Sequence, residues 1–246
     1  MNNDVSNTSM PVPVLLAVIL LFTTSASAGP LVLNSGATQV TLLELYTSQG
    51  CSSCPPAERW LNKYIDSEDL WTRTVPVAFH VDYWDYIGWK DIFATREHGE
   101  RQRDYARSGR ARTVYTPGLF LNGREWRGWT FRLKPRASGK RPGNLSVTID
   151  DDRLAATYPE TAPLELHIAL LGFGIVTPIE RGENRNSTLR QEFVVLAHEM
   201  HDSANGHWDA HLPEVTPHQA GRYGVAVWVS APGKPEPLQA TGGWLN

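Results

Sequence analysis

The chain has 246 residues, of which 41% are hydrophobic and 20% charged. This composition is typical of a globular protein with a buried core, and it excludes the disordered and fibrous classes. The formal net charge of −3 provides no basic excess for binding nucleic acid or an anionic membrane. Two cysteines are too few for a fold held together by disulfides.

The N-terminal segment has the pattern of an export signal. Residues 12–22 are almost all apolar, and Ala26-Ser27-Ala28 follows as a cleavage site of the A-x-A type. The run is shorter than the ~20 residues that a membrane-spanning helix needs. We therefore expect residues 1–28 to be a cleaved signal peptide, and the mature protein to be periplasmic or secreted with no membrane span. An uncleaved membrane anchor is the alternative.

The first half of the mature chain alternates strand and helix patterns. Residues 40–46 (VTLLELY) are rich in branched apolar side chains and predict a strand. Apolar residues at helical spacing predict a helix over residues 57–65, followed by a strand over 75–81 and a helix over 89–106. Asn122-Gly123 is the preferred dipeptide of a tight hairpin turn.

The second half has a different pattern. Residues 135–144 (PRASGKRPGN) are linker-like, and the chain beyond them contains strand-like runs separated by turn residues, without a convincing helix. These runs cover residues 145–149, 164–172, 191–200 and 224–230. We expect this half to form a small antiparallel β-sandwich.

The strongest chemical signal is Cys51-Ser52-Ser53-Cys54, which follows the first strand and begins the first helix. A helix N-terminus carries a partial positive charge, which lowers the pKa of a nearby thiol. The thiolate is the attacking species in disulfide exchange, and outside the cytosol a thiol pair forms and keeps a disulfide. We therefore expect Cys51 to be an exposed nucleophile and Cys54 to be the resolving thiol.

Two further features complete the predicted site. Thr116-Pro117 precedes the hairpin and resembles the cis-proline loop of thioredoxin folds, which lies against the Cys-x-x-Cys segment and offers backbone groups to substrate. Glu44 lies among apolar residues in the first strand. A buried carboxylate at this position is a candidate for proton transfer during exchange.

Longer stretches of the chain resemble a secreted family known as domain of unknown function 1223. The similar stretches are LLELYTSQGCSSCPPA, FHVDYWDYIGWKD, VYTPG with LNG, and LLGFG with RGENR. This resemblance implies export, a thioredoxin-like domain and a second β-rich domain, but no settled reaction. We interpret the RGENR loop, residues 181–185, as a turn held by a buried Glu–Arg pair.

These observations predict an α/β domain followed by an all-β domain. The first, residues 29–138, is expected to be thioredoxin-like with an insertion before the cis-proline, and the second, residues 139–246, to be the β-sandwich. The predicted function is that of an exported thiol–disulfide oxidoreductase. It would act on protein or small-molecule disulfides, with a disulfide-bearing substrate or redox partner, no cofactor and no nucleic acid.

Two alternatives stay open at this stage. The first is a copper(I) carrier in which both thiolates and a histidine such as His80 hold the metal. The second is a binding scaffold in which the disulfide is structural. Five of the eight histidines lie between His198 and His218, and an Asn205-Gly206 turn would bring His198 near His207. This segment is a possible zinc or copper site, with exposed loop histidines as the plainer interpretation.

Overall fold

The computed structural model describes residue 1 and residues 29–160, 162–215 and 220–245. The body of the expected signal peptide, residues 2–28, lies outside the described residues, as does His218. In the described part of the chain, no helix is both long enough and apolar enough to cross a bilayer.

The described residues form mainly β-structure. In chain order the strands are β1 (Leu31–Asn34), β2 (Thr41–Thr47), β3 (Thr74–His80), β4 (Gly118–Leu121), β5 (Arg124–Glu125), β6 (Ser146–Asp150), β7 (Arg153–Thr157), β8 (Leu164–Phe173), β9 (Ile175–Pro178), β10 (Thr188–Gln191), β11 (Val194–Ser203), β12 (His207–His211), β13 (Arg222–Ser230) and β14 (Pro237–Trp244). The α-helices are α1 (Pro55–Leu61) and α2 (Arg96–Arg107), and the 3₁₀ helices are Asn62–Asp66, Asp82–Ile87 and Gly128–Phe131.

One mixed sheet of eight strands organises the molecule. Its strand order is β14-β13-β8-β11-β3-β2-β4-β5. Strands β2 and β3 are parallel over seven residue pairs, and β11 is parallel to β3 at Val194 and Ala78. The other neighbouring pairs are antiparallel. Every residue of β2 and β3 is buried, as expected for strands covered on both faces.

The smaller sheets lie beside this one. A four-stranded sheet has the order β1-β6-β7-β12, and β9 pairs with β10 as a two-stranded ribbon. Residues of the four-stranded sheet, such as Val147 and Leu154, pack in one hydrophobic cluster with Ile168 and Val227 of the large sheet. The four-stranded sheet therefore covers part of one face of the larger one.

The expected combination of an α/β thioredoxin-like domain and a separate β-sandwich is wrong. Strands from both halves of the chain enter the same sheet, where the amide of Ala78 in β3 donates a hydrogen bond of 2.8 Å to the carbonyl of Phe193. The main hydrophobic cluster likewise contains residues from both halves. The reason is a strand pairing between segments distant in sequence, which no local pattern reveals. The domain boundary at residues 138/139 stays a prediction.

The helices differ from the expected ones in length. The first helix becomes 3₁₀ after Leu61, and the predicted helix over 89–106 begins only at Arg96. Thr95 explains this start, because its hydroxyl accepts a hydrogen bond from the amide of His98 and caps the helix. The hairpin turn at Asn122-Gly123 is confirmed between β4 and β5.

Candidate functional site

Cys51 and Cys54 form a disulfide between the end of β2 and the start of α1, with their Cα atoms 5.4 Å apart. The amide of Cys54 donates to the carbonyl of Cys51 at 3.2 Å, and the helix begins at Pro55, whose ring is tolerated in a first turn. Both cysteines are fully buried. The expectation of an exposed Cys51 is therefore wrong for this disulfide form, because neighbouring loops cover the sulfurs.

Thr116 lies against the disulfide. Its hydroxyl donates to Cys51 Sγ at 3.2 Å and accepts a hydrogen bond of 2.7 Å from the indole Nε1 of Trp84. The Thr116-Pro117 peptide bond is cis. The structure thus brings Cys51, Cys54, Thr116 and Pro117 to one place, as expected from the sequence.

Two segments cover the disulfide from outside. A Cβ atom added to Gly50 would meet the side chains of Ile87 and Trp84, which shows how closely the 3₁₀ helix Asp82–Ile87 packs on this loop. The buried side chain of Asn184 donates to the carbonyls of Gln49 and Cys51, at 2.8 and 2.9 Å. We call residues 82–89 and 180–186 together the cover of the disulfide.

The cover also contains the RGENR loop, residues 181–185. The predicted buried Glu–Arg pair is not what holds this loop in place. Glu183 is exposed, and its carboxylate accepts a hydrogen bond of 2.9 Å from the amide of Ser52. Hydrogen bonds from Ser52 lower the pKa of Glu183. A Cβ atom added to Gly182 would lie 3.2 Å from the Cβ of Trp89, so the two segments of the cover touch each other.

A buried carboxyl group lies behind the disulfide. Glu58 follows Cys54 by four positions, so it lies one turn further on the same side of α1. It accepts hydrogen bonds from the hydroxyl of Thr47 at 2.6 Å and from the side-chain amide Nε2 of Gln191 at 3.3 Å. Burial raises the pKa of Glu58, and the opposing effects of His80 and of these hydrogen bonds only partly offset it.

A histidine–aspartate pair lies beside Glu58. His80 Nδ1 and Asp91 Oδ2 are 2.6 Å apart, and both residues are buried. Burial alone would lower the pKa of His80, but the Asp91 carboxylate raises it. Burial alone would raise the pKa of Asp91, but His80 and the amides of Gln49 and Phe93 lower it. Each member of the pair therefore favours the charged form of the other.

A chain of amide side chains connects this buried group to the cover. Trp89 Nε1 donates to Gln49 Oε1 at 3.0 Å, and Gln49 Nε2 donates to Gln191 Oε1 at 2.8 Å. Gln191 in turn donates to Glu58. Hydrogen bonds thus connect Trp89 of the cover to the carboxyl group behind the disulfide.

Glu44, the carboxylate selected from the sequence, has its contacts elsewhere. Its carboxylate accepts hydrogen bonds from Arg101 Nε at 2.9 Å and from the hydroxyls of Tyr46 and Tyr105 at 2.8 and 2.5 Å. Arg101 and Tyr105 belong to α2, whereas Glu58 belongs to α1 and contacts Thr47 of β2. Successive strand residues point to opposite faces, so Glu44 and Thr47 face opposite sides of β2.

Sequence reasoning missed Glu58 and Asn184. Helical spacing was a usable signal for Glu58, because a residue four positions after Cys54 lies on the same side of a helix. No comparable signal exists for Asn184, which reaches Cys51 across 133 positions.

The histidine-rich segment does not form the expected hairpin site. Residues after the Asn205-Gly206 turn enter β12, which pairs with β7, whereas β11 pairs with β8. His198 and His207 therefore belong to different sheets. Among the described residues, no group of three or more His, Cys, Asp or Glu side chains is arranged to hold a metal ion.

Two proteins of solved structure are similar to this chain. The fold is similar to the crystal structure of protein AGR_C_4864 from Agrobacterium tumefaciens, with 26% identity, a TM-score of 0.62, and coverage of 85% of this chain and 96% of that one. It is also similar to HBP35 of Porphyromonas gingivalis, with 14% identity, a TM-score of 0.55, and coverage of 86% and 76%. No curated protein matches the chain significantly.

The family model for proteins of unknown function named DUF1223 matches residues 42–230. This span contains the disulfide, the cover and the buried carboxyl group. The predicted family is therefore confirmed: the chain belongs to the DUF1223 family.

Proposed function

We propose that this protein is an exported thiol–disulfide oxidoreductase in which Cys51 and Cys54 are the exchanging pair. The observation that carries the proposal is the setting of the disulfide, with the Thr116 hydroxyl on Cys51 Sγ and the buried Glu58 one helical turn beyond Cys54. A purely structural crosslink needs neither a hydroxyl donor on one sulfur nor a buried carboxyl group of raised pKa behind the other.

The proposed reaction is a reversible exchange. A thiolate of a substrate dithiol attacks Cys51 Sγ, the Cys51–Cys54 bond breaks, and Cys54 leaves as a thiolate. The second substrate thiolate then attacks the substrate sulfur of the mixed disulfide and releases Cys51. Two electrons pass from the substrate, which becomes a disulfide, to the protein, which becomes a dithiol. The reverse sequence begins with Cys51 attacking a substrate disulfide.

Glu58 and Thr116 have distinct parts in this scheme. Because burial raises its pKa, Glu58 keeps a proton to higher pH than an exposed glutamate, and it is placed to donate that proton toward the Cys54 thiolate when the disulfide opens. The Thr116 hydroxyl stabilises a thiolate on Cys51 by hydrogen bonding. Pro117 and the backbone beside Thr116 shape the entrance to the sulfurs.

A binding scaffold with a static disulfide is the second candidate. It is favoured by the complete burial of both cysteines and by the two hydrogen bonds from Asn184 that fix the loop around them. Under this alternative, the disulfide holds the loop between β2 and α1 in place, and the cover never opens.

The reduction potential distinguishes the two candidates. The mature protein is equilibrated in glutathione buffers of graded potential, and its free thiols are alkylated and counted by mass. An oxidoreductase gives a reversible two-electron transition between about −270 and −120 mV. A disulfide that persists well below about −300 mV is structural, and this result overturns the proposal. The Cys51→Ser/Cys54→Ser variant is the zero-thiol control.

A further inference from the structure

A cavity lies on the face of the sheet covered by α2, where Glu44 also has its contacts. Its volume is about 530 Å³, and its lining includes Arg101 of α2, His167 of β8, and His198 and Met200 of β11. The exchange scheme uses none of these residues. The cavity is open to solvent on the side of Met200, whose side chain is 62% exposed.

Two imidazole rings meet in the wall of this cavity. His167 Nδ1 and His198 Nε2 are 3.1 Å apart. Both rings are stacked on the indole of Trp228, with centroid distances of 4.8 and 5.1 Å. Trp228 is fully buried, so the two rings rest on a rigid support.

The other nitrogen of His167 is also fixed. His167 Nε2 lies 2.8 Å from the hydroxyl oxygen of the buried Ser230. If His167 carries its proton on Nε2, Ser230 accepts it and the Nδ1 lone pair faces His198 Nε2. Metal-binding histidines characteristically donate their second N–H to such an acceptor, which fixes the tautomer and the ring orientation.

A sulfur ligand is available at the same place. Met200 is the direct cross-strand partner of His167, and directly opposed residues in an antiparallel pair point to the same face. Met200 also follows His198 by two positions, so it shares that face with His198 as well. A long, flexible thioether at the mouth of the cavity therefore stands next to both imidazoles.

We propose that His167, His198 and Met200 form a binding site for a single cuprous ion. Two nitrogens 3.1 Å apart are both able to lie at the usual metal–imidazole distance of about 2.0–2.1 Å from one ion. Imidazole together with a soft thioether is a donor set that suits Cu(I). In the binding form both nitrogens between the rings are unprotonated: His167 carries its proton on Nε2, where Ser230 accepts it, and His198 carries its proton on Nδ1.

The donor set favours Cu(I) over Zn²⁺, whereas the cavity lining carries charges of both signs, with Glu97, Glu100, Asp104 and Glu165 against Arg96, Arg101 and Lys234. The Arg101 guanidinium lies next to the pair, with its carbon 5.2 Å from the centroid of Trp228, and it disfavours any cation. Its bond to the Glu44 carboxylate offsets part of this charge. Among the described residues, no third His, Cys, Asp or Glu joins the pair, so the site lacks the further hard or nitrogen ligand that zinc prefers.

The test is a titration of the disulfide-bonded mature protein with Cu(I), under argon with ascorbate, against the chromophoric chelator bathocuproine disulfonate. We expect one Cu(I) per chain. Met200→Leu should weaken binding at least roughly tenfold and His198→Asn roughly 100-fold, the scale on which altered metal sites lose affinity. Met200 is exposed, so its replacement leaves folding intact. The exposed His207→Asn is the matched control and should bind as the parent does.

The Cys51→Ser/Cys54→Ser variant separates this site from the disulfide. Because the proposal does not depend on thiol exchange, this variant should retain the bound ion with unchanged affinity. Absence of Cu(I) binding in the parent overturns the proposal. So does loss of binding in the variant without cysteines, or an unchanged affinity in both Met200→Leu and His198→Asn.

Discussion

Glu44 and Glu58 are both buried, but they lie on opposite sides of β2, with Glu44 bonded to Arg101 of α2 and Glu58 bonded to Thr47. The first carboxylate is ion-paired with Arg101, whereas the second accepts hydrogen bonds from Thr47 and Gln191, and the charge of His80 only partly offsets the effect of its burial. This difference separates a structural ion pair from a carboxyl group that is able to bind and release a proton. It is the reason why we propose Glu58, and not Glu44, for proton transfer at the disulfide.

Replacement of Glu44 should act mainly on stability. In Glu44→Gln the Arg101 guanidinium stays buried without its charge partner, and breaking such a pair costs about 3–5 kcal/mol. The measurement is urea unfolding of the oxidised protein, with the exposed Glu160→Gln as control. If Glu44→Gln is as stable as the parent, or if it alters the pH dependence of exchange, then our assignment of Glu44 as a structural group is wrong.

Replacement of Glu58 should change the pH dependence of stability. The raised pKa of Glu58 means that the folded state disfavours the ionised form, so the parent loses stability as pH rises from the ordinary value of 4.5 through the raised one. Glu58→Gln keeps an acceptor for Thr47 but carries no charge. Its melting temperature relative to the parent should therefore increase between pH 4 and pH 8, and a constant difference contradicts this account.

The same substitution tests the proposed chemistry. Glu58→Gln cannot donate a proton. The rate of exchange with a model dithiol should therefore fall by about 10²-fold at the maximum of the pH profile, and the profile should become flatter. Stopped-flow quenching of tryptophan fluorescence follows the reaction. An unchanged rate and profile would leave Glu58 with a structural part only.

The His80–Asp91 pair predicts a second pH effect. The pKa of His80 is raised in the folded state, so its contribution to stability is complete below the ordinary value of 6.5 and is lost as pH rises through the raised value. The advantage of the parent over His80→Asn should be largest near pH 6 and shrink toward pH 9. Thermal melts across this range measure it, with replacement of the exposed His207 by Asn as the control.

The cover predicts a kinetic effect. Asn184→Ala removes hydrogen bonds to the carbonyls of Gln49 and Cys51, each worth about 1 kcal/mol. Loosening the cover should accelerate reduction of the disulfide by dithiothreitol about tenfold. Ser187→Ala, at an exposed position directly after the same loop, is the matched control. Equal rates for the parent and Asn184→Ala would show that the cover does not limit access.

Several features of this protein are properties of short segments, and the sequence determined them. Apolar patterning located the first strands, Asn122-Gly123 specified its hairpin turn, and the spacing of Cys51 and Cys54 at a helix start allowed their disulfide. These features depend on contacts between near neighbours, for which residue type and spacing are sufficient.

The tertiary structure decided what lies around those segments. The pairing of β3 with β11 merges the two halves of the chain into one sheet, and the reach of Asn184 to Cys51 buries the disulfide. The face of β2 on which Glu44 lies, and the approach of His167 to His198, follow from the same long-range packing. Such contacts join residues far apart in the chain. Their energies therefore depend on the whole fold, and local sequence patterns do not predict them.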